Sequence, residues 1–173
     1  MSGECAYHSA QKMKEVLEER GNFTVWIFEL GQSSEIAKTL KELDKKEDAD
    51  DIVFLMYVGH SHQPFSEYYL DQLGSERIVL VYDCCHAGAI GETRRKEGRE
   101  ILYSSRGDEE SYGYDTQYAI FSYYLTLAFN GCYPPVSAED AFKYAAPKTT
   151  AISPNHQHPV MYDDYPGDII VIP

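Results

Sequence analysis

The spacing of apolar residues along the chain changes period several times, and each change marks an element. Over residues 5–20, Ala6, Ala10, Met13, Val16 and Leu17 recur at steps of three and four, which predicts an amphipathic helix ended by Gly21. Residues 24–30 (TVWIFEL) are β-branched and aromatic and read as a strand that Gly31 breaks. Ser33 or Ser34 then caps a helix carrying Ile36, Leu40 and Leu43, which runs out into the charged stretch 42–51 (ELDKKEDADD). That stretch lacks the alternating ligands and central glycine of a calcium loop and reads as a solvated helix end and turn.

Two unbroken apolar runs follow, 52–58 (IVFLMYV) and 77–82 (RIVLVY), the pattern of strands buried on both faces. The first ends in Gly59-His60-Ser61-His62, the second in Asp83-Cys84-Cys85-His86-Ala87-Gly88. Residues 91–99 (GETRRKEGR) form a polar loop, 100–105 (EILYSS) a third strand and 106–115 another loop. Residues 117–130 are apolar nearly all round, as in a buried helix, and Gly131 stops them. Ser137 opens a short helix with Glu139 and Asp140 in its first turn, residues 147–167 read as loop, and 168–172 (DIIVI) as a last strand. The alternation predicts an α/β fold, a mostly parallel sheet between helical layers. A helix leads where such folds begin with a strand, so the first strand is expected to be absent from this chain. The polar residues following the two buried strands sit where open α/β sheets build their sites.

Composition narrows the partners. With 43% hydrophobic and 25% charged residues the chain reads as one ordinary globular domain over 1–173, or a fragment of a longer protein. The longest apolar run, 52–58, is far short of the ~20 residues of a membrane helix and no signal pattern opens the chain, so a soluble, cytoplasmic protein without a membrane partner is expected. A net charge of -13 repels nucleic acid and steers in cationic peptides. Cys5, Cys84, Cys85 and Cys132 include an adjacent pair and no C-x-x-C spacing, which argues against a disulfide framework.

A thiol becomes an effective nucleophile where a base or cation lowers its pKa. Cys85 and His60, delivered to neighbouring strand ends, make a minimal pair of that kind; the alternative is a cysteine packed inertly at the end of a buried strand. Residues 54–61 (FLMYVGHS) and 79–88 (VLVYDCCHAG) resemble the paired signatures of the caspase-like cysteine peptidases, the clan of caspases, metacaspases, legumain, gingipain and clostripain. The likeness is greatest to metacaspase and legumain-like members, where one apolar strand ends in Tyr-Ser-Gly-His-Gly and the next in Asp-Ser-Cys-His-Ser-Gly. Gly59 and His60 fall on the first motif, and Asp83, Cys85, His86 and Gly88 on the second. Residues 103–114 (YSSRGDEESYGY) resemble a legumain-type pocket strand and loop, and the tail 157–168 (QHPVMYDDYPGD) the end of many bacterial and archaeal caspase-like domains; the resemblance spans residues 20–173.

The resemblance implies a three-layer caspase-like sandwich and a cysteine endopeptidase acting on peptides or proteins. Cys85 is then the nucleophile and His60 its partner, with Gly59, Ser61 and His86 positioning the pair and holding the oxyanion. Asp83 is implied in the S1 pocket with Glu110, Ser105 and Ser111, and Asp108 or Glu109 nearby; carboxylates there pair with Arg or Lys at P1, the substrate residue before the cut bond. The loop 91–99 corresponds to one often cut on activation, which suggests self-cleavage after Arg94, Arg95 or Lys96; the alternative is a solvated basic turn. Ser61 departs from the family's glycine, a residue whose backbone freedom helps an oxyanion donor. The Gln-Ala-Cys-x-Gly element of caspases proper is absent, so their Asp preference does not carry over. The missing strand would lie mid-sheet, which implies association with a preceding N-terminal segment or a second subunit. No cofactor or metal is implied: His60-x-His62, Cys84-Cys85-His86 and His156-x-His158 are poorly spaced for zinc. The alternatives are a legumain-like asparaginyl endopeptidase and a non-catalytic caspase-like interaction module.

Overall fold

The long apolar runs build the sheet, and the amphipathic stretches cover it. A computed structural model describes residues 3–28, 33–60, 65–91, 94–114, 117–131, 133–153 and 156–173. Helix α1 (Gly3–Arg20) and helix α2 (Ser33–Leu43) precede strand β1 (Ile52–Val58). A short helix α3 (Glu67–Leu70) leads to β2 (Arg77–Asp83), α4 (Ala87–Gly91) and β3 (Arg99–Tyr103). The hairpin β4 (Gly113–Tyr114) and β5 (Tyr118–Ala119) opens directly into α5 (Ile120–Gly131). The chain finishes with β6 (Val136–Ser137), α6 (Ala138–Ile152), β7 (Val160–Asp163) and β8 (Ile170–Ile172).

The main sheet has the order β1-β2-β3-β7, parallel except for β7. Side chains alternate across it, because successive Cβ atoms of a strand point to opposite faces. Val79, Val81 and Leu102 face a core shared with α1, α5 and α6, while Ile78, Leu80, Tyr82 and Tyr103 face a second core that α2, α3 and α4 cover. The fold is therefore the three-layer α/β sandwich that the alternation of elements predicts.

Four expectations need correction. Residues 24–28 pair with no strand, and residues 29 and 30 lie outside the described ones. A β-branched composition favours a pleated conformation but does not supply the neighbour that makes a strand. The helix opened by Ser137 runs on through Pro147 to Ile152. Pro147 is exposed and removes one helical donor, but the buried face of Ala141, Ala145 and Thr149 holds the segment against the core. Residues 160–163 form a strand rather than loop, adding the antiparallel β7 beside β3. The last strand pairs with β6 in a separate two-stranded sheet instead of the main one.

Candidate active site

Parallel pairing in register sets Val58 beside Asp83, and the Gly59 N–H continues the ladder to the Asp83 carbonyl at 3.1 Å. His60 and Cys85 each follow two residues after the last paired positions of these adjacent parallel strands, at the same end of the sheet. The two residues singled out from the sequence thus follow the same ends of the two paired apolar runs.

Alternation then decides which cysteine is presented. Cys84 is wholly buried with Tyr82 in the second core, and burial, with Asp83 and Cys85 adding to it, pushes its thiol up to about 12. Cys85 is partly exposed, and its sulfur meets the Ser111 backbone on both sides: the Ser111 N–H donates to Sγ at 3.4 Å and the Ser111 carbonyl accepts from it at 3.8 Å. His86 follows in the left-handed region (φ 58), turning the chain sharply out of the strand. Its N–H donates to the Glu109 carbonyl at 2.7 Å, and its Nδ1 lies 3.1 Å from the Gly107 carbonyl. Gly88 packs where a Cβ would stand 2.9 Å from the Gly107 nitrogen, so the turn after the cysteine requires glycine there.

Asp83 anchors this strand end. It has no exposed surface; Ser111 Oγ donates to it at 2.6 Å, and the Ser122 N–H and Oγ at 2.8 and 2.6 Å. Burial pushes its carboxyl above the ordinary range, and the serine hydrogen bonds pull against that shift. Three expectations for the S1 pocket are corrected accordingly. Asp83 lies beneath the surface and fixes Ser111 instead of lining an open pocket. Ser111 is buried with its hydroxyl on Asp83, and Ser105 is buried with its hydroxyl donating to the Cys84 carbonyl and accepting from the Ala87 N–H. Of the named pocket residues, Glu110 and Asp108 are exposed, Glu110 next to the Ser111 backbone that holds Cys85.

The oxyanion assignments divide. The amides of Gly59 and His86 are engaged by the Asp83 and Glu109 carbonyls, so both residues position the chain and neither amide is offered to an oxyanion. Ser61 and His62 lie outside the described residues, as does Cys132. His60 is exposed, and the Tyr57 hydroxyl donates to its carbonyl at 2.7 Å. A Cβ at Gly59 would stand 3.0 Å from that hydroxyl, so glycine gives the tyrosine room to reach over.

Two residues of the tail escaped sequence reasoning. Gln157 is fully buried; it donates to the Ser104 carbonyl at 2.9 Å and Ser111 Oγ at 3.3 Å, and accepts from the Tyr112 N–H at 3.0 Å. His158 donates its N–H to Glu109 at 2.8 Å, with its Nδ1 at 2.6 Å from the same carboxylate. Burial pushes Glu109 up, but the N–H groups of His158 and Arg106 and the His158 ring outweigh it and leave the carboxyl below its ordinary range. The signal was the Gln157-His158 pair within a loop otherwise read as surface, since a polar pair can pin a distant loop without any periodicity.

The basic loop is not the free turn that was expected. Arg94 is 4% exposed and lies 3.8 Å from Glu67, which corrects its placement as an accessible cleavage site. Arg95 makes two bonds to Asp164 at 2.9 and 2.6 Å, Lys96 reaches Asp71 at 3.2 Å, and buried Arg99 reaches Asp71 at 2.8 Å. Glu92 and Thr93 lie outside the described residues. Arg99 begins β3 at the amino-terminal edge of the sheet, about 20 Å along the strands from the Cys85 edge. Among the described residues, one group offers ligand atoms within 4.8 Å of one another: Glu100, Glu139 and Asp163, at that same far edge. Burial, together with Glu139 beside it, pushes the Glu100 carboxyl up to about 9, and burial raises Glu139 as well.

A parallel sheet between helices, with a cysteine and a histidine on adjacent carboxyl ends, is a caspase-like architecture. The crystal structure of caspase-1 from Spodoptera frugiperda superposes with a TM-score of 0.73 over 99% of this chain and 82% of that one, at 12% identity. Protein GSU0716 from Geobacter sulfurreducens superposes with a TM-score of 0.68 over 95% of this chain and 86% of its own, at 15% identity. No family model matches the chain, and no curated protein does. The likeness is one of fold.

Proposed function

We propose that the chain is a cysteine endopeptidase of the caspase-like kind, with Cys85 as nucleophile and His60 as its partner. The observation that carries this reading is the in-register pairing of β1 and β2 through Val58 and Asp83, with His60 and a partly exposed Cys85, held by the Ser111 backbone, each two residues beyond it. The Cys85 sulfur attacks the scissile carbonyl, His60 protonates the departing amine, and water then hydrolyses the thioester. The oxyanion role falls to the backbone of Ser61, by the family pattern. The metacaspase and legumain-like resemblance of the two motifs supports membership of that branch.

Preference for Arg or Lys at P1 rests on Glu110, the exposed carboxylate beside Ser111, and on the acidic field of a chain with net charge -13. Self-cleavage, if the enzyme processes itself, occurs between molecules and after Lys96, the most exposed of the three basic candidates, since the loop lies at the opposite sheet edge. The test is intact mass after treatment with a peptidyl-arginine chloromethylketone, with Cys85→Ala and His60→Ala in parallel. One adduct in the wild type, absent from Cys85→Ala and slowed in His60→Ala, is expected. Labelling by an asparagine-based probe instead supports a legumain-like pocket, and failure of every probe on folded protein supports the non-catalytic module.

A further inference from the structure

The amino-terminal edge of β3 gathers carboxylates that lack donors. Glu100 and Asp163 stand directly opposite each other on the antiparallel strands β3 and β7, a placement in which like charges cost stability. Glu139 joins them from the first turn of α6. One ligand atom of each residue lies within 4.8 Å of the other two. Glu100 is 0% and Glu139 3% exposed, yet among the described residues Glu100 Oε2 and both Glu139 oxygens have no hydrogen-bond partner. The Ile169 N–H donates to the other Glu100 oxygen, at 3.3 Å. Asp163 is exposed and accepts from the Tyr165 N–H at 3.1 Å. Asp168 adds a further negative charge near Glu139, and Lys143, which feels both, is exposed and bonded to Asp140 at 3.0 Å. A buried carboxyl group keeps its place where a donor, a proton or a cation replaces the water it has lost.

We propose that Glu100, Glu139 and Asp163 bind one hard divalent cation, calcium or magnesium, as a structural clasp between β3, α6 and β7. A set of oxygen ligands without nitrogen or sulfur suits these ions rather than zinc or copper. Two ligands of one calcium ion stand at most ~5 Å apart, twice the metal–oxygen distance, and the cluster lies within that limit. The two buried glutamates supply charge from a strand and a helix, and the exposed side at Asp163 admits the waters that complete the coordination shell. The ion gives the unsatisfied oxygens a partner and cancels the repulsion between the facing strands. It also offsets the burial that pushes both glutamates up. The site lies at the opposite sheet edge from Cys85, so its role is to hold the tail strand β7 and the start of α6 against β3. The fall of stability with pH that Glu100 sets is accordingly a property of the ion-free chain.

The test is calorimetric titration of chelator-treated protein with calcium chloride and, separately, magnesium chloride, followed by thermal unfolding at about 5 mM ion. One ion bound per chain, and an unfolding midpoint raised by about 5 °C or more, are expected with at least one of the two salts. Glu139→Gln is expected to weaken binding at least tenfold and to lose the rise in midpoint. In chelator the same variant should unfold no earlier than wild type, because its amide offers Glu100 the donor it lacks. Asp140→Asn, at an exposed acid in the same helical turn, should bind the ion as wild type does. Should Glu139→Gln fail to fold, Asp163→Asn carries the comparison from an exposed position. No binding of either ion at about 10 mM, or binding that Glu139→Gln and Asp163→Asn leave unchanged, overturns the proposal and leaves a shared proton to hold the pair. Neither readout uses peptidase activity, so failure of the proposed function leaves this test intact.

Discussion

β1 and β2 are written in nearly the same apolar alphabet, lie side by side in register, and end in very different surroundings. Every residue of β2 after Arg77 is buried, and its carboxyl end is held by Asp83, Ser105, Ser111 and Ser122, with Gln157 behind them. β1 is half-open along its length, and the described bonds of its carboxyl end are the Gly59 N–H to Asp83 and the Tyr57 hydroxyl to the His60 carbonyl. The two halves of the candidate site therefore differ in constraint. The sulfur is set by a buried polar network that a single backbone shift would disrupt, whereas the imidazole depends on a strand that, among the described residues, is paired on one edge alone. Substitutions that spoil the first should cost stability and reactivity together; those that touch the second should cost reactivity with little stability.

The strongest test of that contrast is Asp83→Ala. It leaves the Ser111 hydroxyl and both Ser122 donors buried without an acceptor, and a loss of about 3 kcal/mol or more in urea unfolding is expected, with labelling of Cys85 abolished. A loss below ~1 kcal/mol would show that the network relaxes freely and that β2 is no better held than β1. Gln157→Leu keeps the volume but strands the Tyr112 N–H and the Ser104 carbonyl, so about 1 to 3 kcal/mol is expected by the same measurement. Its effect on Cys85 should run through the Ser111 backbone. Slowed labelling at unchanged thiol exposure is the signature.

These particulars mark what the sequence could carry. The apolar runs, their order and the two strand-end motifs follow from period and residue type alone, because burial on two faces leaves an unbroken hydrophobic signature. The candidate pair was proposed for the same reason: His60 and Cys85 each come two or three residues after such a run. The role of Asp83 was misplaced because a motif says that a carboxylate is required and says nothing of which way it faces. Ser122 and Gln157, distant in sequence and carrying no periodic signal, could be assigned to the site only through packing. Residues 24–28 were misread as a strand because strand propensity is a property of the segment and pairing a property of its neighbours.

The far edge of the sheet supplies a pH control for the comparison. In the folded chain burial and the neighbouring Glu139 push the Glu100 carboxyl up to about 9, whereas an unfolded glutamate ionises near its ordinary value of 4.5. Between those values the folded state binds more protons, so this group's contribution to stability is complete below about 4.5 and is lost as pH rises toward 9. Glu100→Gln is expected to flatten the fall of the urea midpoint over that interval and to leave the pH profile of Cys85 labelling unchanged. A labelling profile that moves with Glu100 would show the two sheet edges to be coupled.

The smallest stability effect and the sharpest contrast belong to Tyr57→Phe. The substitution removes one hydroxyl, 2.7 Å from the His60 carbonyl, from a half-exposed strand end, and leaves the ring in place. A partner exposed to water recovers most of what it loses, so the expected change in unfolding free energy is below ~1 kcal/mol. The expected change in Cys85 labelling by the substrate-like probe is a several-fold slowing, because the hydroxyl bridges the turn that points the imidazole. Burial pushes the Tyr57 hydroxyl up to about 12, so it remains a donor throughout the range in which a thiol and an imidazole titrate. The slowing should accordingly be the same factor from pH 6 to 9, and iodoacetamide, which needs no histidine to protonate a leaving amine, should react with mutant and wild type alike. Equal slowing with both reagents would place the effect on the sulfur and erase the distinction between the two strand ends.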